Sequence, residues 1–213
     1  MKNVIDHVAI GAANLEQGIA ALQKQFGVEV PKGGKHEAMT THNCVTKVGD
    51  GHFLEIIAID PDAPDPGRTR WFTLDDPGTQ ARVSERPCPL CWVVGTDDLD
   101  AVVANSPVDL GEVVNLSRGD LSWRLTVPAD GSLPEGGLLP AFIEWSPGLH
   151  PSEGMQDLGL RLEAINLRHP DPAALSRKLE ALGVDHLATV MQGAEPAISF
   201  VIRSADGKTS ELV

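Results

Sequence analysis

The chain repeats itself, and that repeat limits its fold more than any other feature. Gly27-Val28 is matched by Gly183-Val184, Asp50-Gly51 by Asp206-Gly207 and Glu55-Ile56 by Glu211-Leu212, all at one constant offset. Between these anchors the first copy runs from a strand, "NVIDHVAI", into an amphipathic helix over residues 15–26. There Leu15, Ile19, Leu22 and Phe26 fall on one face, Asn14 caps the start and Gly27 stops the end. Strands follow at 43–48 and 53–59 around the turn Gly49-Asp50-Gly51. The third copy has a strand at 158–167, a helix opened by Asp171-Pro172 and closed by Gly183, and strands at 187–191, 198–202 and 209–213. A looser middle copy has strands at 90–94, 112–116, 121–127 and 141–145, with a short helix capped by Asp97 or Asp98. Its last strand, "FIEW", places Glu144 where "FLEI" places Glu55.

The expected organisation is therefore three βαβββ-like modules, 1–60, 89–147 and 158–213, with a connecting segment at 61–88 and a linker at 148–157. The 61–88 segment is rich in Pro, Asp and Gly, and reads as a long connection packed through Trp71 and Phe72. Its acidic start, "DPDAPDPG", lacks the ligand spacing of an EF-hand loop.

Composition narrows the partners. Net charge is −13 and there is no long basic run, which argues against nucleic acid and against an anionic membrane surface. No apolar stretch approaches the roughly 18 residues of a membrane helix, and the chain enters a strand without a leader, so the expectation is cytoplasmic. Cys88 and Cys91 form a CxxC, but a zinc ribbon needs a second pair, and Cys91 enters the apolar run "LCWVV". They read as structural thiols. No dinucleotide fingerprint, P-loop or GxSxG motif is present.

His7 interrupts an apolar strand, and Glu55 sits in "HFLEIIAI", where an unpaired carboxylate on a buried face would be costly. Each is either a pocket group or half of a buried structural pair. The stretches "IDHVAIGAANLEQGIAAL", "THNCVTKVGDGHFLEIIAIDPDAP", "RTRWFTLDDPG" and "LSWRLTVP…GGLLPAFIEW" resemble the glyoxalase-like domain family of the vicinal-oxygen-chelate superfamily, over essentially the whole chain. The resemblance implies an α+β fold of repeated βαβββ modules that pair into a cupped mixed sheet, with a divalent ion (Zn, Ni, Mn or Fe) in the cup. It places His7 and Glu55 at ligand positions, with Glu144 from the middle module and Glu55 or Glu144 moving the proton. Cys91 stands near a position where a second His or Gln would be expected. If modules one and three paired instead, Glu163, opposite His7, and Glu211 would complete the set.

Other pocket candidates come from alternation along strands. One of His42 and Asn43 must face the cup, and one of Trp123 and Arg124. His36, in the loop "GGKHE", reads as a solvated loop histidine, with a flap residue over the pocket as the alternative, and His52, His150, His169 and His186 read as turn or surface residues. The expected activity is that of a metal-dependent lyase or isomerase acting on a small oxygenated metabolite, and the alternative is metal-free binding of a small molecule in the same cup. With modules one and two paired, module three has no partner inside the chain, so an isologous homodimer is expected.

Overall fold

The computed structural model describes residues 3–148 and 150–213. The first module comprises β1 (Val4–Gly11), α1 (Leu15–Phe26), β2 (Lys32–His36), β3 (Thr41–Gly49) and β4 (His52–Ile59). Next come α2 (Pro77–Glu85), β5 (Cys88–Gly95), α3 (Leu99–Asn105), β6 (Glu112–Arg118), β7 (Leu121–Val127) and β8 (Ala141–Trp145). The C-terminal part is β9 (Arg161–His169), α4 (Pro172–Ala181), β10 (Thr189–Gln192), β11 (Ala197–Arg203) and β12 (Thr209–Leu212).

Local signals explain most of these boundaries. In α1 the Asn14 side chain accepts from the Gln17 N–H, and Gly27 closes the helix in the left-handed region at φ 73°. Asp98 and Asp171 cap α3 and α4 in the same way. Two elements lie where the sequence reading put none. The short strand β2 is "KGGKH", too polar to read as a strand by alternation. The helix α2 lies inside the supposed connection, with Asp76 as cap and Pro77 in its first turn.

Eight strands form one mixed sheet in the order β2-β3-β4-β1-β5-β8-β7-β6. The first two modules join through antiparallel pairing of β1 with β5, while β4 and β8 pair parallel to β1 and β5. The sheet curls until its edge strands β2 and β6 approach one another, which turns its concave face into a cup.

The C-terminal part keeps the βαβββ chain order but not the sheet order. Its four strands run β10-β9-β11-β12, so β9 lies between β10 and β11, and β12 never reaches it. The constant offset of the repeat therefore does not carry over into equivalent geometry. Nor is this sheet left without a partner. Its buried Ile165, Leu167, Phe200 and Ile202 belong to one apolar cluster with Val8, Ile10, Ile56, Trp92 and Phe142 from the first two modules. Burial of the third sheet, the reason for expecting a homodimer, is thus met within the chain. A second cluster, including Ala9, Ile57, Cys91, Val93, Trp123, Leu125 and Ile143, lines the concave side. Among the described residues, no helix is long and apolar enough to cross a membrane.

Candidate active site in the cupped sheet

Strand alternation decides which side chains enter the cup. Across β1 and β4, His7 pairs with Phe53 and Ala9 with Glu55. Across β7 and β8, Trp123 pairs with Trp145 and Leu125 with Ile143. All but Ala9 line a cavity of about 40 Å³, together with His36, Asn43, Trp71, Phe72 and Arg118. The walls are thus largely aromatic, and the polar groups gather on the β1–β4 side.

A chain of polar contacts crosses the floor. The His7 ring bonds through Nδ1 to Asp6 Oδ1 at 2.6 Å, and its Nε2 stands 3.6 Å from Glu55 Oε2. The other Glu55 oxygen accepts from the Asn43 amide at 2.7 Å. The same Asn43 nitrogen lies 3.3 Å from His36 Nε2, while His36 Nδ1 lies 3.0 Å from the Thr41 hydroxyl. Asn43 Oδ1 accepts from the Gly34 N–H at 2.8 Å, which fixes the amide's orientation. A Cβ at Gly33 would stand 2.2 Å from that same oxygen, so only glycine lets the Asn43 side chain lie against β2.

Asp6 precedes His7 directly, and in a regular strand the two would point to opposite faces. The β1–β5 register, however, shifts between Ile5 and His7, leaving Asp6 as an extra residue. This bulge re-aims the side chain. Asp6 also accepts from the Trp145 indole at 2.7 Å and meets His150 Nε2 at 3.0 Å. His150 Nδ1 in turn accepts from the Ser152 N–H at 3.3 Å, so its Nε2 carries the proton toward Asp6. Asp6 therefore joins β1, β8 and the segment around His150 at one carboxylate.

Protonation follows from these contacts. Burial works against an ionised Asp6, but the hydrogen bonds with His150 and His7 outweigh it and hold the carboxyl at about 2. Burial likewise works against a charged His7, and the Asp6 bond with the Asp6 and Glu55 charges overcomes it, raising the imidazole. His36 goes the other way: burial pushes it down to about 4, so it is neutral at pH 7. Burial also raises the Cys91 thiol well above its ordinary value, with Glu55 adding to the effect. It is no ready thiolate.

Of the residues singled out in the sequence, the cup brings together His7, Glu55, Asn43 and Trp123. Glu144, Arg124 and His42 lie on the other face. Glu144 pairs with Arg124 directly across β7–β8, between Ile143 and Trp145, which face the cup. Its carboxylate binds the Arg124 guanidinium at 2.9 and 3.0 Å and accepts from the Leu99 N–H at 2.7 Å. It anchors the start of α3. His42 lines a separate cleft beside Leu15 and Asp60. Glu163 pairs with Arg203 and Glu211 with Ser199, both on the C-terminal sheet.

Sequence reasoning missed four of the site's groups. His36 is 7% exposed rather than solvated, because β2 forms the cup's edge. Arg118 ends β6 on the same face as Leu116 and Trp123, and only the curl of the sheet carries it to β2. Asp6 was hidden by the bulge. His150 was read as a surface residue and instead packs near Trp145 and Phe53. The Asp-His pair in "IDHV" was the available signal for Asp6.

The expected ion does not fit this donor set. His7 is oriented as a ligating imidazole is, with Nδ1 on a carboxylate and Nε2 toward the cavity. The second module offers nothing to match it: Val93 stands across from His7 and Cys91 from Ala9, with Ile143 and Trp145 on β8. The remaining imidazole, His36, already faces Asn43 through Nε2 and has the Arg118 guanidinium 3.4 Å from that atom. Among the described residues, no three His, Cys, Asp or Glu side chains group as a metal site requires.

Fold and site together define a two-module cupped sheet with an aromatic, acid–base pocket. The chain belongs to the glyoxalase-like domain family, whose model matches residues 5–183. Among solved structures, a hypothetical protein from Staphylococcus aureus aligns over 99% of this chain and 85% of its own, with a TM-score of 0.61 at 13% identity. A methylmalonyl-CoA epimerase from Mycobacterium tuberculosis aligns over 68% of this chain and 88% of its own, with a TM-score of 0.43 at 18% identity. A Streptomyces coelicolor methylmalonyl-CoA epimerase in complex with 2-nitronate-propionyl-CoA covers 68% of this chain and 97% of its own, with a TM-score of 0.41 at 20% identity. No curated protein matches the chain.

Proposed function

We propose that the cup takes a small oxygenated metabolite without a metal ion and moves a proton on it, as an isomerase-type enzyme would. Glu55 is the base. The observation that carries this reading is its setting. The carboxylate is 4% exposed, one oxygen is tied to Asn43 at 2.7 Å, and the other faces His7 Nε2 at 3.6 Å, too long for a hydrogen bond. That second oxygen is free to accept a proton from a carbon beside a carbonyl. The carbon's electron pair then passes to the carbonyl oxygen, and return of the proton gives the isomer. His7, whose charged form Asp6 favours, faces the Glu55 carboxylate, and the aromatic walls exclude water, which strengthens each polar contact.

The test is hydrogen exchange. Protein shown metal-free by mass spectrometry is incubated in D2O with a panel of 2-oxo acids and α-hydroxy ketones, and loss of the C–H signal is followed by NMR. The wild type accelerates exchange for at least one member, and Glu55→Gln loses about 10²–10⁴-fold of that rate. Exchange that appears only when Zn, Ni, Mn or Fe is added, and vanishes in His7→Ala, would overturn the metal-free reading.

A further inference from the structure

We infer that the ligand of this cup is an organic monoanion, a carboxylate on a flat apolar body, and that Arg118 with the Trp71 indole N–H forms its anion anchor. The inference rests on the cup being the ligand site, as proposed above, and adds the class of ligand.

Arg118 is the first observation. The chain carries 30 acidic residues against 17 basic ones, and most of its arginines are claimed by them. Arg70 pairs with Asp75, Arg124 with Glu144 and Asp100, Arg161 with Asp157 and Arg203 with Glu163. Arg118 lines the cavity, half-buried, with no carboxylate within 4 Å among the described residues. Its contacts are marginal: Nη1 lies 3.4 Å from His36 Nε2 and 3.5 Å from Asn43 Oδ1. A guanidinium presents five donors in a planar fork suited to a carboxylate, and here most are unspent. The position is also built for it. A Cβ at Gly34 would stand 2.5 Å from Arg118 Cδ, so a glycine on β2 makes room for the arginine arriving from β6.

Trp71 is the second, independent observation. It lines the same cavity and is 3% exposed, yet its indole nitrogen is buried without a hydrogen-bond partner among the described residues. An orphaned buried donor is costly, because its lost hydration is not replaced. A ligand oxygen would remove that cost.

The rest of the site sets the shape and charge. His36 is neutral and edge-on to Trp71 at 5.0 Å. Trp123 and Trp145, 5.1 Å apart, and the Trp71–Phe72 stack wall the cavity with flat surfaces. Among the described residues lining the cup, Arg118 is a cation with no carboxylate partner, and that single charge favours a single negative charge on the ligand. The doubly charged phosphate group fits it less well.

Calorimetry with benzoate and 1-naphthoate, against benzamide and 1-naphthamide as neutral matches, tests the idea on the full chain. The acids should bind and the amides should bind about 10–100-fold more weakly, the loss of one charge-assisted contact. Arg118→Met should weaken 1-naphthoate by a similar factor while moving 1-naphthamide by less than about threefold. Arg118→Lys, which keeps the charge but not the fork, should fall between. Equal binding of acid and amide to the wild type would overturn the anion anchor and leave the cup a ligand site. Competition by inorganic phosphate at the concentration of 1-naphthoate would overturn the organic monoanion. If neither acid nor amide binds while a divalent ion binds stoichiometrically, the cup reading falls, and this inference with it.

Discussion

Removing the titration of one buried ring should change how this protein responds to acid. His36 has an ordinary value of 6.5 and is held at about 4 by burial. Between these values the unfolded chain binds a proton at His36 that the folded chain refuses, so stability falls as pH drops through that window. Each pH unit of difference is worth about 1.4 kcal/mol. From pH 7 to 4.5 the loss is about 2–3 kcal/mol, a large share of the 5–15 kcal/mol that holds a typical domain. The ring is 7% exposed, so solvent screening takes little from this figure. His7 does not confuse the window. Its value is raised, so its contribution is fully present below 6.5 and is lost only as pH rises through its folded value. Asp6, held at about 2, matters below its ordinary 3.8. Urea denaturation at half-unit steps from pH 4.5 to 7.5 measures the effect in the wild type and in His36→Gln. The variant is expected to be less stable at pH 7, with a flatter curve below 6.5. Its curve should approach the wild-type curve by 2–3 kcal/mol at the acid end. Two parallel curves would refute the assignment of a neutral buried His36, whatever the absolute stabilities. An NMR titration of the His36 ring protons in the wild type checks the same point without a variant.

Four further outcomes follow from the geometry. Asp6→Asn removes the carboxylate that joins His7, Trp145 and His150, and should cost about 3–5 kcal/mol in urea, with faster proteolysis around residues 146–157. Asn43→Leu keeps the volume but removes the short bond to the Glu55 carboxylate. It should cost about 2–3 kcal/mol, read in urea denaturation, and lower any proton-exchange activity in the cup. Glu144→Gln should lower the melting temperature by a few degrees, having lost part of a half-exposed ion pair at the start of α3. It should leave ligand affinity in the cup within about twofold, and a larger loss would contradict its placement on the far face. Gly33→Ala pushes a methyl into Asn43 Oδ1 and should be nearly as harmful as Asn43→Leu, read by the same denaturation curves.

The alternation of the strands was legible, and with it half of the site. The helices at 15–26 and 172–181, the strand containing His7 and the strand containing Glu55 all follow from local periodicity and caps. For "THN" and "SWR" the sequence could say only that one neighbour enters the cup and the other leaves it. It could not say which, because that parity is set by pairing between strands distant in the chain. Asn43 and Trp123 won, while His42 and Arg124 went outward. The placement of Glu144 failed for the same reason. "FIEW" matches "FLEI" letter by letter, yet Trp145 and Ile143 face the aromatic wall and leave the glutamate to Arg124. The repeat misled once more in the C-terminal part, where β10 takes the place beside β9 that the equivalent of β4 would need. A constant offset conserves the order of elements along the chain but not their order in the sheet.

By itself, then, the sequence determined the βαβββ grammar, the family and two of the first module's buried ionisable groups, His7 and Glu55, because caps, turns and period-two patterns are local. Only the tertiary structure decided the composition of the cup. A bulge turned Asp6 toward His7. The curl of the sheet carried Arg118 from β6 to β2, beside His36. The segments outside the strands brought Trp71, Phe72 and His150 to the rim. Each of these depends on contacts between residues far apart in the chain, whose energies are shared across the whole fold and leave no mark on any short stretch of it.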